Sequence, residues 1–279
     1  MSSLLQNNLF QRVAVALVGI PLLLWINMEG GLYFLSMVLV LSLMATFEFR
    51  RLAAHRAHPP TLLLLLPMTA FLQANFYFRF IDYWEALLIA VMVLYVVELW
   101  RQQGSQFLNL GATLVGLVYV NLSFGALLRL RLTGTAPGSP GTESGAALVL
   151  LMFVCVWSAD IFAYFGGSRL GGKFISRKLF PRLSPKKTWE GYFSGILGSF
   201  AIAWLCSLYV PGFPDGRASL IGLFVGVVSP AGDLMESMFK RDAGVKDSSG
   251  VIPGHGGVLD RFDTVMFIAP LLYFVTAWG

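Results

Sequence analysis

The chain has 279 residues, 56% of them hydrophobic and 13% charged, with a mean hydropathy of +0.70. Soluble domains carry about 25% charged residues, so this composition excludes an ordinary soluble enzyme. The apolar residues fall in blocks close to the ~20 that span a bilayer, and the net charge of +5 reads as topology and lipid contact, not nucleic-acid binding.

Arg12 precedes an apolar run, Val13 to Ile26, with no small-residue cleavage site after it, so it is read as an uncleaved first helix. Nine spans are predicted, at about 12–28, 31–49, 61–78, 83–100, 109–128, 146–166, 190–210, 217–236 and 263–278. Lipid offers backbone groups no partners, and the blocks lack period-two alternation, which selects helices over a barrel. The predicted fold class is an all-α integral membrane protein. Its organisation is 1–132 with about five spans, a flexible outside loop at 133–145, and 146–279 with about four spans and most of the chemistry. With the N-terminus inside, the inner segments hold sixteen Lys and Arg and the outer ones four. That asymmetry supports a cytoplasmic N-terminus and an outside C-terminus, and a multi-pass protein of the cytoplasmic (inner) membrane with its working face toward the cytoplasm is expected.

Along the first five spans, Glu48 and Glu98 lie at inner helix ends and are expected to pair with Arg50, Arg51 or Arg101. His55 and His58 read as solvated loop residues, and Trp25, Trp84, Trp100 and Trp278 as interfacial anchors. Cys155 and Cys206 lie far apart in apolar blocks and read as packing residues. Gly191 with Gly195, and Gly222 with Gly226, have a spacing that packs helices closely, within one chain or in a homodimer.

Two constellations carry chemistry. The first follows the sixth span: Asp160 and Tyr164, then Gly166-Gly167-Ser168-Arg169-Leu170-Gly171-Gly172-Lys173, then Ser184-Pro185-Lys186-Lys187-Thr188-Trp189-Glu190-Gly191. Thr188 or Ser184 is suited to cap the next helix, whose N-terminus attracts phosphate, and Lys186 and Lys187 add charge. The stretch lacks the Walker A spacing; its plainest alternative is a basic loop that only sets topology. The second runs from Asp233 and Glu236 through Ser237, Lys240, Arg241, Lys246, Asp247 and Pro253-Gly254-His255-Gly256-Gly257 to Asp260, Arg261 and Asp263. Each carboxylate pair, Asp233 with Glu236 and Asp260 with Asp263, is spaced i, i+3 and shares a helix face. An acid at bilayer depth costs ~2.5–3.5 kcal/mol, which makes it a functional signal. Magnesium is held by a few carboxylates plus substrate phosphates, and glycine amides at 254–257 are free to approach an anion. His255 is suited to donate a hydrogen bond to phosphate.

The 237–263 stretch resembles the signature of the phosphatidate cytidylyltransferase (CDP-diacylglycerol synthase) family at Ser237, Lys240, Arg241, Lys246, Asp247, Pro253, His255, Gly256, Gly257, Asp260, Arg261 and Asp263. The Asp160–Tyr164, glycine-rich and Ser184–Gly191 segments resemble it too, and the likeness is specific over roughly 155–265. The resemblance implies a multi-span helical enzyme, often dimeric, that transfers CMP from CTP to phosphatidate. It also implies magnesium on Asp233, Asp260 and Asp263, with room for a second cation. Asp233, Lys240, Arg241, Lys246, Asp247, His255, Asp260, Arg261 and Asp263 are the expected catalytic set. Asp160, Tyr164, Lys173, Ser184, Lys186, Lys187, Thr188, Ser237, Gly256 and Gly257 are the expected substrate-binding set. The D-G-x-x-A-R motif of CDP-alcohol phosphotransferases is missing. A transporter that uses the buried acids as a cation path is the remaining alternative, against which stand two long loops rich in Lys, Gly and Pro on one face.

Overall fold

A computed structural model describes residues 2–133, 145–209, 217–251 and 256–278, with side chains between 13 and 276 among these. The interior of the expected 133–145 loop, His255 and the Trp278 side chain lie outside the described residues.

Ten α-helices and one two-stranded hairpin make up the described chain: α1 Ser2–Glu29, α2 Gly31–Ala53, α3 Leu62–Phe78, α4 Tyr83–Leu99, α5 Gln106–Gly116, α6 Ser123–Leu132, α7 Gly145–Leu170, β1 Lys178–Phe180, β2 Ser184–Thr188, α8 Trp189–Tyr209, α9 Arg217–Asp242 and α10 Leu259–Trp278. A π-helical turn, Leu117–Leu122, joins α5 to α6, so the fifth expected span is one rod with a widened turn. Each of the nine expected spans thus falls on a helix among the described residues. Among the described residues, five rods are long and apolar enough to cross a membrane: 31–53, 106–132, 145–170, 189–209 and 217–242. Val13–Glu29 and Leu62–Phe78 are apolar but shorter. The chain is an α-helical membrane protein.

Several helices outrun their apolar cores. α2 continues through Arg50 and Arg51, α7 to Arg169, α9 through Lys240 and Arg241, and α10 begins four residues before Asp263. The extensions carry the charges that an apolar pattern cannot register. Gly30, at φ 66° in the left-handed region that favours glycine, turns the chain sharply between α1 and α2.

The sequence read as all-α gains one correction, the antiparallel hairpin in which Lys178 faces Thr188 and Phe180 faces Ser184. Pro185 is tolerated in β2 because a two-stranded sheet consists of edges, where a missing N–H costs no ladder bond.

The chain groups into two compact units. One comprises Met1–Arg129 with Phe239–Phe262, the other Leu130–Met238 with Asp263–Gly279. In the first unit, Leu65, Met68, Leu72, Ala86, Ala90 and Leu94 form an apolar core, and the Phe49, Tyr119 and Phe239 rings meet with centroids 5.3 to 6.2 Å apart. Glu98 pairs with Arg101 at 2.8 Å, as expected, and accepts a second bond from Asn109 at 2.7 Å.

In the second unit, small residues let helices touch backbone to backbone, which is how helices pack where lipid supplies no hydrophobic drive. A methyl group on Gly191 would meet the Ala163 carbonyl at 2.8 Å, and one on Gly195 the Ala159 carbonyl at 2.9 Å. Gly222 and Gly226 likewise abut Ser199 and Ile196 of α8. Both small-residue pairs are therefore used within the chain, and their spacing carries no argument for a dimer. Gly232 of α9 abuts the backbone of Asp263 and Thr264 in α10. Cys155 is buried in α7 and Cys206 is half-buried in α8.

Candidate active site

The second unit encloses a cavity of about 460 Å³ lined by α7, α8, α9 and the hairpin, within the ~300–1,000 Å³ range of small-molecule sites. Its polar lining brings together Asp160 and Tyr164 of α7, Lys186, Lys187 and Thr188 of β2, and Asp233 of α9. Its walls are small: Ala159, Ala163, Gly167, Gly191, Gly195 and Gly226. Local sequence explains each position. Thr188 precedes α8 and caps it, its hydroxyl accepting the Gly191 N–H at 3.1 Å. Thr188, not Ser184, is thus the cap of the two considered, and Ser184 sits in β2 opposite Phe180. The capped N-terminus leaves α8 amides and the positive end of its dipole at the cavity. In α9, Pro230 has no N–H to give the Gly226 carbonyl one turn back, and both residues line the cavity.

Charges in this unit are coupled. Lys187 Nζ lies 2.7 Å from Asp233 Oδ2, and the Ser237 hydroxyl donates to Asp233 Oδ1 at 3.1 Å. Asp160 lines the same cavity as Lys187 and Asp233. Asp160 and Asp233 therefore share the cavity with the paired Lys187, and Asp263 approaches from α10, where its backbone meets Gly232 of α9. Lys173 and Lys186 are exposed.

Two further residues of the second unit bear on the candidates. Glu236, which shares a helix face with Asp233 by its spacing, is buried in α9, whereas Asp233 lines the cavity. Glu190, which the motif contained but no role was given, is 7% exposed. Its Oε1 accepts the backbone N–H groups of Gly172, Phe174 and Ile175 at 3.1, 3.0 and 2.8 Å. One carboxylate thereby shapes the turn after the glycine-rich segment. The signal in the sequence was an acid in the first turn of a capped helix, next to a run whose amides had no other assigned partner.

The first unit holds the rest of the signature. Asp260 Oδ1 accepts Lys240 Nζ at 2.6 Å, and its Oδ2 accepts the Ser248 N–H, the Ser248 hydroxyl and the Gly257 N–H at 3.0, 2.8 and 2.9 Å. Both oxygens are engaged, so Asp260 anchors Lys240 and the loop. Asp247 and Lys246 are exposed in the loop. Gly256, at φ 86°, lies so close that an added methyl would meet the Asp260 carboxylate at 2.9 Å. Arg241 is exposed and reaches the Val245 carbonyl at 3.5 Å, and Arg261 is exposed at the start of α10.

Glu48 departs from expectation. It does not pair with Arg50, which donates to the Pro60 carbonyl at 2.7 Å, or with Arg51, whose guanidinium lies 5.7 Å from the Phe47 ring centroid. Glu48 is fully buried and accepts from the Ser248 and Ser249 hydroxyls at 3.2 and 2.6 Å, and from the Val258 and Leu259 N–H groups at 2.9 Å each. A carboxylate at the first turn of α10 suits that helix's dipole. His55 and His58 are exposed, as expected of loop residues.

Comparison with known sequences follows the same lines. The cytidylyltransferase family matches residues 10–278. The chain is 35% identical to a phosphatidate cytidylyltransferase of Synechocystis sp. over 286 aligned residues, covering 95% of each. It is 32% identical to the protein of that name from Bacillus subtilis, covering 96% of this chain and 97% of the relative. It is 34% identical to the one from Brucella abortus, covering 96% and 93%.

Proposed function

Since the chain belongs to the cytidylyltransferase family, we propose that it transfers CMP from CTP to phosphatidate, giving CDP-diacylglycerol and pyrophosphate. The observation that carries this reading is the second unit's cavity, where Asp160, Asp233, two lysines and a capped helix N-terminus converge. A phosphate oxygen of phosphatidate attacks the α-phosphorus of CTP in line. The new O–P bond forms as the bond to the β-phosphate bridging oxygen breaks, and pyrophosphate leaves with that electron pair. A phosphate monoester has a second pKa near ~6, so at neutral pH the nucleophile needs no strong base.

Lys186, Lys187 and the α8 amides meet the triphosphate, with Lys187 held toward the acids by Asp233. Among the described residues, no three His, Cys, Asp or Glu side chains stand close enough to cage a metal unaided. The donor chemistry nonetheless fits magnesium, which takes one or two carboxylates and completes its shell with water and substrate phosphates. Asp233 and Asp263, with Asp160 beside them, would hold it. When bound, it would neutralise charge developing on the phosphate oxygens. Asp260, which the family resemblance counts with them, is given the role of holding Lys240 and the loop.

The decisive assay supplies the purified protein with labelled CTP, phosphatidate and magnesium. Labelled CDP-diacylglycerol with equimolar pyrophosphate is expected, and no lipid product would end the proposal. Lys186→Ala is expected to raise the KM for CTP by roughly tenfold or more, the worth of one charge-assisted contact, with the KM for phosphatidate unchanged. The reaction is assigned to the cytoplasmic face by the distribution of basic residues. In a variant lacking Cys155 and Cys206, a cysteine at Arg177 is expected to react with an impermeant maleimide only from the cytoplasmic side, and one at Arg79 only from outside. Reversed labelling would remove that assignment.

A further inference from the structure

The hairpin has two faces of different character. In β1, Leu179 points inward and lines the cavity, while Lys178 and Phe180 on either side of it are exposed, as the period of two requires. The turn before it exposes Phe174 to 79%, and Phe180 is 47% exposed. Residues 161–189 contain seven Lys and Arg and no Asp or Glu. Among the described residues no carboxylate pairs with Arg177, Lys178 or Arg182. The spanning helices end at Leu170 and resume at Trp189, so these exposed rings are not accounted for as lipid-facing parts of a span. Exposed aromatic side chains interleaved with unpaired cations, at the foot of two membrane helices, form the combination that binds an anionic interface.

We propose that the outer face of this hairpin docks on the anionic headgroup surface of the membrane and collects phosphate-bearing lipids at the mouth of the cavity that its inner face lines. The docking stands on the hairpin alone; the delivery of lipid to a reaction rests on the reading of that cavity as the cytidylyl-transfer site. Phe174 and Phe180 enter the headgroup layer, and Arg177, Lys178 and Arg182 hold lipid phosphates. Each basic residue near an anionic surface contributes about fivefold in local affinity.

The test uses the full-length protein, lacking Cys155 and Cys206, in vesicles of phosphatidylcholine with or without phosphatidylglycerol. A nitroxide on Phe174→Cys reports depth through its accessibility to oxygen and to a water-soluble nickel complex. The label is expected to sit in the interface when phosphatidylglycerol is present. It is expected to return to water when Arg177, Lys178 and Arg182 are all changed to Gln. That triple variant is also expected to raise the half-saturating mole fraction of phosphatidate by roughly ten- to a hundredfold with the KM for CTP unchanged. A label that stays in water in anionic vesicles overturns the docking. A triple variant that shifts the KM for CTP instead assigns these cations to the nucleotide and overturns it as well. Should the wild-type protein make no CDP-diacylglycerol, the depth measurement still decides the docking, so failure of the two readings is told apart.

Discussion

Asp263→Asn is expected to reduce turnover by at least ~10²–10³, the loss found when one preorganised electrostatic contact is removed from a reacting phosphate or carbonyl site. The Asp263 backbone abuts Gly232, the neighbour of Asp233 in α9, and Asn keeps the shape of Asp263 while removing the charge that a magnesium ion would meet. Insertion and folding should be preserved or improved. An uncharged amide is cheaper at bilayer depth than an ionised acid. Excess CTP should not restore activity, whereas raised magnesium should do so in part if one ligand of several is lost. Asp260→Asn makes the contrast. It weakens the hold on Lys240 and the loop, so its signature is a lower melting temperature with a magnesium titration close to wild type. Turnover and magnesium titrations of the two variants settle the matter. Wild-type behaviour of Asp263→Asn would end the assignment of Asp263 to metal binding.

The second large effect is on stability. Glu48→Ala leaves the Val258 and Leu259 N–H groups and two serine hydroxyls without their acceptor. A buried donor left unsatisfied costs about 1–3 kcal/mol. Ser248 retains Asp260, so the two amides and Ser249 dominate, for a total of several kcal/mol. Thermal unfolding of the detergent-purified protein should drop by roughly 10 °C, taking about 2–4 °C per kcal/mol for a chain of this size. Glu48→Gln keeps one acceptor oxygen and should fall between the two. Unchanged melting of Glu48→Ala would show that the loop is held by other means.

The two variants mark what the sequence could and could not disclose. Helix positions were legible because lipid leaves a span no alternative to a helix, and apolar block length is visible in one dimension. Charged extensions such as Lys240–Arg241 were not, since apolarity ends before the helix does. The hairpin was hidden by Pro181 and Pro185, which argue against strands, and by basic residues that suited a loop equally well. The cavity lining around Asp160, Lys186, Lys187 and Thr188 could be anticipated because these residues sit in two short stretches joined by one helix end. The division of labour among the aspartates could not. An i, i+3 spacing groups Asp260 with Asp263, but which acid a lysine reaches is decided by folding. Lys240 takes Asp260, and Lys187 takes Asp233. Glu48 was assigned to Arg50 and Arg51 because sequence reasoning favours neighbours, and no pattern along the chain points to partners in another span.

The separation of Glu48 from those partners has a consequence for biogenesis. Among the described residues, its acceptors are answered by residues 200 to 211 positions downstream. At a synthesis rate of ~5–20 residues per second, α2 waits roughly 10 to 40 s in the bilayer with an unanswered acid before the chain that completes its unit emerges. The N-terminal helices therefore cannot mature as they are made. Their unit closes near the end of translation, when Phe239–Phe262 arrives. A ribosome that stalls before that segment leaves behind an unfinished bundle with a buried charge exposed to the cell's membrane quality control.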